Sequence, residues 1–498
     1  MNDDLDNSRL LDVHKWSDYP GLLEITKKLF STLYLKGDPD WDNGYYRTLR
    51  VVLTDLFDLH HKDLYAWIAF HKNNNAFQKL GRYNKIHITR TYLNGVIDVL
   101  ERLKYIEIVP GFNDRREGGS SRLSRMRPTS KLIALFDEIA TPEQPVFSRS
   151  DCEELLIMRD DKKADIEYDD DIVTDRMRMI LNNYNKLLHK AFIDLDMTGY
   201  DGDYEMDRYR STLKITHKNK FDKKGNPLIT KIDMNNRRVR RVFNDSSWEH
   251  GGRFFGGWWQ SLPRGLRNRI VIGKHLRETV EIDFRAIHIV LLYAMKGIRR
   301  YSIVDSGQDW DDPYSLPGFG SDEDERDQFR NLFKLIMLVM LNAGNRTKAV
   351  QAIKKKIRDF NNNEIALYPP NAKECVTAAI DALVERHSAI SEYFFTGKGK
   401  ELQKLDSEIA ESVIRLMTDG GRPVLCIHDS FVCNYADFYE ISGYMNLAIS
   451  QHMPGDYGYE VEEYDCFKPK YQYDKSEEDY KNYFINSSDY ILDKISIL

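Results

Sequence analysis

Two aspartates in the second half of this chain stand where carboxylates can act on a phosphate ester. The first closes Val280-Glu281-Ile282-Asp283, in which apolar residues alternate, and the apolar run Ile287 to Ala294 follows. A strand that ends in a carboxylate and feeds a packed helix aims an oxygen ligand rigidly. The second lies in Val424-Leu425-Cys426-Ile427-His428-Asp429-Ser430-Phe431-Val432-Cys433. Two short apolar strands around His-Asp-Ser read as a tight hairpin with an acidic tip. Aspartates on adjacent strands can clamp two magnesium ions about 4 Å apart, the arrangement that serves in-line phosphoryl transfer. One ion lowers the pKa of an attacking hydroxyl and the other stabilises the leaving pyrophosphate.

A third segment supplies the opposite charge. Ser321-Asp322-Glu323-Asp324 carries capping and acidic residues, which predicts a helix from about Asp324 to Leu341. Arg330 and Lys334 then project from one face, one turn apart, while Leu332, Leu335, Ile336, Val339 and Met340 pack. Two cations facing a carboxylate pair can grip a triphosphate. Alone, such a pair reads as a solvated face.

Other elements must position these residues. From Tyr46 the residues Leu49, Val52, Leu53, Leu56 and Phe57 recur at helical spacing, after an irregular or helical lead-in. Thr89 can cap a helix whose apolar positions are Tyr92, Leu93, Val96, Ile97, Leu100 and Leu103. A strand at Ile106–Val109 stops at Pro110-Gly111, a polar segment follows, and a second, basic strand runs over Arg122–Arg127. Helix, strand, loop, strand is the order of a winged helix. Arg90, Arg115, Arg116, Arg122, Arg125 and Arg127 would supply phosphate contacts; the plainer use of such a module is protein contact. Residues from about Ser150 to Met206 read as helical, with a stripe of Met177, Ile180, Leu181, Tyr184, Leu187 and Leu188. Asp169-Asp170-Asp171 suits a helix N-terminus better than a metal. Leu213–Lys218 and Leu228–Asp233 form a basic hairpin. His60-His61 read as a surface pair, and Trp258-Trp259 suit base stacking or a core equally well.

With 498 residues, 42% apolar and 30% charged, the chain has the balance of a soluble protein of several domains. Its longest apolar run, around Leu335–Ala343, is about half of what a membrane span needs, so no membrane partner is expected. The N-terminus is acidic and lacks the apolar core of a signal peptide. Five scattered cysteines, none in a CxxC pair, indicate neither a zinc site nor a disulfide framework, and a cytoplasmic setting is expected. The net charge is −6, yet Arg208 to Lys274 holds 17 Lys/Arg against 4 Asp/Glu, leaving −19 on the remainder. A basic belt on an acidic body is the footprint of a protein that holds a phosphate backbone in one place.

The order and spacing of these segments resemble the palm and fingers of family A DNA polymerases, the bacterial DNA polymerase I type. Asp283-Phe284-Arg285-Ala286-Ile287-His288 is similar to that family's Asp-Tyr-Ser-Gln-Ile-Glu motif, Arg330-xxx-Lys334 to its fingers helix, and His428-Asp429-Ser430 to its His-Asp-Glu turn. Upstream, Gly252-Arg253 and Gln260-Ser261-Leu262-Pro263 are similar to its Gly-Arg…Gln-Asn-Ile-Pro stretch. The likeness covers roughly residues 245 to 450. It implies an α+β, right-handed palm, fingers and thumb fold with an N-terminal winged-helix domain. The divisions would be 1–145 for the helical and winged-helix DNA-binding part, 146–245 for a helical, thumb-like region with the basic hairpin, and 246–498 for the polymerase core, with fingers at about 300–400.

The resemblance also implies roles. Asp283 and Asp429, with the backbone carbonyl of Phe284, would hold two Mg2+ ions. Arg330 and Lys334 would bind the triphosphate, with Lys334 placed as general acid. Arg253 and His428 would contact the primer terminus and Gln260 the duplex. Departures concern the sugar. His288 stands where the family has a glutamate that helps exclude a ribose 2′-hydroxyl, and Asn342-Ala343 replace the fingers Tyr-Gly. Ile427-His428-Asp429-Ser430-Phe431 instead resembles the single-subunit RNA polymerases of phages and mitochondria. The expected function is DNA-templated polymerisation of nucleoside triphosphates on a DNA template and primer, with DNA synthesis in replication favoured and no 3′-exonuclease. The alternatives are a primer-synthesising RNA polymerase, a terminal transferase, and a catalytically inactive replication initiator.

Overall fold

The computed structural model describes residues 8–33, 36–62, 66–72, 81–113, 121–138, 148–149, 153–207, 212–221, 227–273, 279–284, 286–298, 312–361 and 368–452. Helices and strands are both abundant, and most strand pairs are antiparallel, as an α+β chain requires. The apolar residues fall into two large clusters, one from Leu22 to Phe136 and one from Leu155 to Ile449.

The first cluster is built on the helix Gly44–Lys62, whose Leu49, Val52, Leu53, Leu56 and Phe57 are fully buried, as the spacing predicts. Beside it lies a sheet in the order Ser8–Leu10, Trp67–Phe70, Ser124–Pro128, Ile106–Val109. The Thr89 hydroxyl accepts a hydrogen bond from the Tyr92 amide at 3.3 Å and caps the helix Arg90–Arg102. The expected basic strand starts later than Arg122, because Arg122 pairs with Phe112 in a small hairpin beyond the sheet edge.

The region from Ser150 to Met206 corrects the helical reading. Among the described residues only Ile172–Lys190 is helical there, while Leu156–Met158, Ile193–Leu195 and Tyr204–Asp207 are strands. The reason is burial on both faces. Leu155, Leu156, Ile157 and Met158 are all buried, so the run lacks the alternation that marks a half-exposed strand. Leu156–Met158 pairs in parallel with Arg240–Asn244. The aspartate run does sit at a helix start: Asp171 and Thr174 form a capping box. The basic hairpin forms from Thr212–Phe221 and Pro227–Asp233, with Tyr204–Asp207 as a third strand. Residue 245, an expected division, lies in the turn between the paired strands Arg240–Asn244 and Ser247–Phe255, and residues on both sides share one core.

The sheet that carries the aspartates has the order Thr279–Asp283, Ser430–Asn434, Val424–Ile427. It is backed by the helix Gly399–Asp419, which also packs on Ser247–Phe255 and Phe438–His452. Cys426 and Cys433 are buried strand residues with free thiols. Among the described residues no helix is long and apolar enough to cross a membrane.

Candidate active site

Strand register brings the two aspartates to one sheet end. Asp283 is the last residue of its strand and pairs with Ser430, the first of the central strand, so Asp429 in the adjoining turn lies next to it. The Phe284 amide points to the Asp429 carbonyl at 3.5 Å. Asp283 is exposed and Asp429 half-buried, while Phe284 is buried beneath them. Only His428 and Asp429 separate the paired residues Ile427 and Ser430. Such a two-residue turn needs a left-handed residue, and His428 adopts φ +62°. The His428 Nδ1 is buried without a hydrogen-bond partner, and its ring meets Phe255 edge-on at 5.5 Å. Burial, then the Arg253 charge, pushes its pKa below the ordinary histidine value, so it is neutral at neutral pH.

The cationic helix runs Glu323–Asn342 and is capped by Asp322, whose side chain accepts from the Glu325 amide at 2.8 Å. Phe329, Leu332, Phe333 and Ile336 anchor it in the core and leave Arg330 and Lys334 on another face. Two residues that the motif reading passed over tie this helix to the sheet end. Asp312 forms an ion pair with Arg330. The Tyr314 ring lies 5.9 Å from the Arg330 guanidinium and 5.6 Å from the Lys334 ammonium. Burial and then Asp312 raise the Tyr314 pKa against the pull of Arg330, and Asp429 and Asp283 add to the rise. This phenol is therefore within electrostatic reach of both aspartates and of the cationic helix. Lys334 is lowered by burial first and by Arg330 second, with Asp312 and Asp283 opposing.

A third passed-over residue is Asp406. It is 2% exposed, and its Oδ2 lies 2.7 Å from His288 Nε2. Its Oδ1 accepts from Arg253 Nε at 3.2 Å, and Arg253 Nη2 bonds it as well. Burial opposes ionisation of Asp406, but hydrogen bonds from His288 and Arg253 outweigh it and hold its pKa below the usual carboxylate range. A sequence signal existed: Asp406 interrupts the apolar stripe Leu402, Ile409, Ala410, Val413, and a carboxylate in such a stripe needs buried partners.

The remaining expected residues divide. Gln260 is committed to backbone, donating to Phe254 and Cys426 carbonyls at 3.0 Å and accepting from the Gly256 amide at 3.0 Å. Trp258 and Trp259 are buried, and Trp259 donates to the Cys426 carbonyl at 3.0 Å, which makes them core. Asn342 is at the far end of the cationic helix, eight residues beyond Lys334, or about 12 Å along the axis. It donates to the Leu338 carbonyl at 2.7 Å and is not brought to the aspartates through that bond. Ser430 donates to Glu281, which also binds Arg267. Arg90 is exposed at the start of its helix. Arg115 and Arg116 lie outside the described residues. His60 meets Asp137 at 3.5 Å and His61 the Phe57 carbonyl at 3.0 Å, which are local contacts.

Among the described residues no group of three or more His, Cys, Asp or Glu is arranged to hold a metal ion. Two carboxylates and a backbone carbonyl are an oxygen donor set that suits a hard cation completing its shell with water and substrate phosphate, as magnesium does. Compared with known proteins, the chain matches no family model and no curated sequence.

Proposed function

We propose that this chain is a DNA-templated nucleic-acid polymerase of the family A type, adding nucleotides to a 3′-hydroxyl. The observation that carries the reading is the register that seats Asp283 against the Asp429 turn, with Lys334 electrostatically coupled to Asp283 and Tyr314 coupled to Arg330 and to both aspartates. Asp283, Asp429 and the Phe284 carbonyl would hold two Mg2+ ions. When bound, these would lower the pKa of the attacking hydroxyl and neutralise charge on the departing pyrophosphate. Arg330 grips the triphosphate, and Lys334, with its depressed pKa, gives up a proton to the leaving group more readily than an ordinary lysine. Arg253 and the neutral His428 meet the primer end. The N-terminal helix, sheet and hairpin form a winged helix that reaches DNA through Arg90, and the basic hairpin of Thr212–Phe221 and Pro227–Asp233 lies along the duplex.

A second reading, RNA synthesis, is favoured by one observation: the imidazole of His288, held by Asp406, stands in the place of the carboxylate that would repel a ribose hydroxyl. Nucleotide addition to a primed DNA template, with dNTPs and rNTPs compared and Asp429→Asn as control, tests both. Template-dependent extension that Asp429→Asn abolishes is expected. Equal behaviour of wild type and variant would instead make the chain a DNA-binding initiator.

A further inference from the structure

The Arg330 guanidinium is hydrogen-bonded from one side only. Its Nε donates to Asp312 Oδ2, and among the described residues no protein group takes Nη1 or Nη2. An arginine held by Nε presents its two Nη nitrogens as a free fork, the geometry that binds phosphate oxygens in pairs. Asp312 is itself fixed. Its Oδ1 accepts from the Tyr314 amide at 2.9 Å, and its backbone carbonyl accepts from Arg386 Nη2 at 3.0 Å. The next carbonyl, of Pro313, lies 2.9 Å from Nε2 of the fully buried His387. His387 Nδ1 in turn meets the Tyr293 hydroxyl at 3.1 Å, on the helix that follows Asp283. A chain of fixed contacts thus runs from the Asp283 helix through Asp312 to the guanidinium. Arg330 carries a long side chain with much rotamer freedom, and a ligand that must order it loses affinity.

We propose that Asp312 is a positioning residue for nucleotide binding, holding Arg330 by Nε so that its Nη fork receives the triphosphate. The proposal rests on the nucleotidyltransferase reading of the site and adds to it the device that preorganises the phosphate grip. Asp312 touches no reacting atom. Its carboxylate also lowers the net positive charge of the grip, so the two effects separate by substitution: alanine removes both acceptors, whereas asparagine keeps one acceptor oxygen, shared between Nε and the Tyr314 amide, and removes the charge.

The test is calorimetric binding of ATP, dATP and inorganic tripolyphosphate, each with Mg2+, to the full chain. Wild type, Asp312→Ala, Asp312→Asn, Arg330→Ala and the Asp312→Ala/Arg330→Ala double variant are compared, with melting curves confirming that each is folded. Asp312→Ala is expected to weaken binding about tenfold, as loss of an orienting partner does elsewhere. Asp312→Asn is expected to bind more tightly than Asp312→Ala, and the double variant no worse than Arg330→Ala. Undiminished binding by Asp312→Ala, or a loss that adds to that of Arg330→Ala, overturns the positioning role while leaving the site's reading intact. If wild type and Arg330→Ala bind alike, the triphosphate site itself is refuted and the inference falls with it.

Discussion

Two pairs of aspartates in this molecule have opposite surroundings. Asp55 and Asp58 are 0% and 1% exposed on the helix Gly44–Lys62. Arg9 reaches Asp55 at 2.8 Å, Lys15 at 3.2 Å, and Lys62 reaches Asp58 at 2.8 Å. Burial opposes the charge on Asp58, yet Lys62, Lys15 and Arg9 outweigh it and hold its pKa well below the usual range. Asp283, by contrast, is exposed at a strand end, and Lys334, which is coupled to it, comes from a separate helix. Carboxylates closed off from water by cations of their own domain fix that domain in place. Carboxylates left at a solvent-facing edge opposite cations are poised for something that arrives from outside.

Substitution breaks the comparison most sharply. Asp283→Asn should reduce nucleotide addition on the order of 1,000-fold, the scale for removing electrostatic stabilisation of a transition state, with an unchanged melting curve. Asp58→Ala should do the reverse, destabilising the N-terminal region by about 3 kcal/mol because three cations lose a buried partner. Denaturant melting and primer extension on both variants measure this, and a melting loss in Asp283→Asn would erase the distinction.

The pH dependence should separate the regions next. The Asp58 pKa is depressed, so its contribution is complete above its ordinary value of 3.8 and is lost as pH falls below that. Burial opposes the Lys62 charge, but Asp58 and Asp233 outweigh it and raise its pKa, so its contribution holds below 10.5 and is lost as pH rises through the higher folded value. Lys334 is shifted the other way and should lose its proton below 10.5. Nucleotide addition should therefore fall on the alkaline side while the N-terminal region is still folded, and parallel pH series of rate and melting temperature would show it.

The smallest expected effect is at the turn. A non-glycine residue at φ +62° carries strain, so His428→Gly should stabilise the chain by at most about 1 kcal/mol. It should also lower extension, since the ring is lost. A variant that gains stability with full activity would remove His428 from the primer end.

Much of this was legible in the sequence where period and punctuation agree. The helix Gly44–Lys62, the Thr89 cap, the basic hairpin and the two apolar strands around His428-Asp429 all follow their patterns. What escaped has physical reasons. Leu156–Met158 is buried on both faces and shows no period. Ser8–Leu10 is short and joins Trp67–Phe70 in parallel across a long connection, which local pattern cannot reveal. Asp312 sits in an acidic stretch whose tertiary partner is eighteen residues away, so nothing local distinguishes it. Asp406 alone left a trace, as a charge on an apolar stripe.

The Lys62 ammonium has one more consequence. The same nitrogen binds Asp58 within its own domain and Asp233 on the basic sheet of the other. The two large apolar clusters are separate, but a small buried cluster of Tyr83 with Ile157 and Val242, and the pair of Arg82 with Glu154, also join the two parts. The shared charge adds to that coupling: loss of structure on either side strips a counter-ion from the other, so part of the link between the two transitions runs through ion pairs. Such linkage is ionic and fades with added salt. Added salt should therefore weaken the coupling between the two transitions, while the apolar contact of Tyr83 with Ile157 and Val242 keeps part of it.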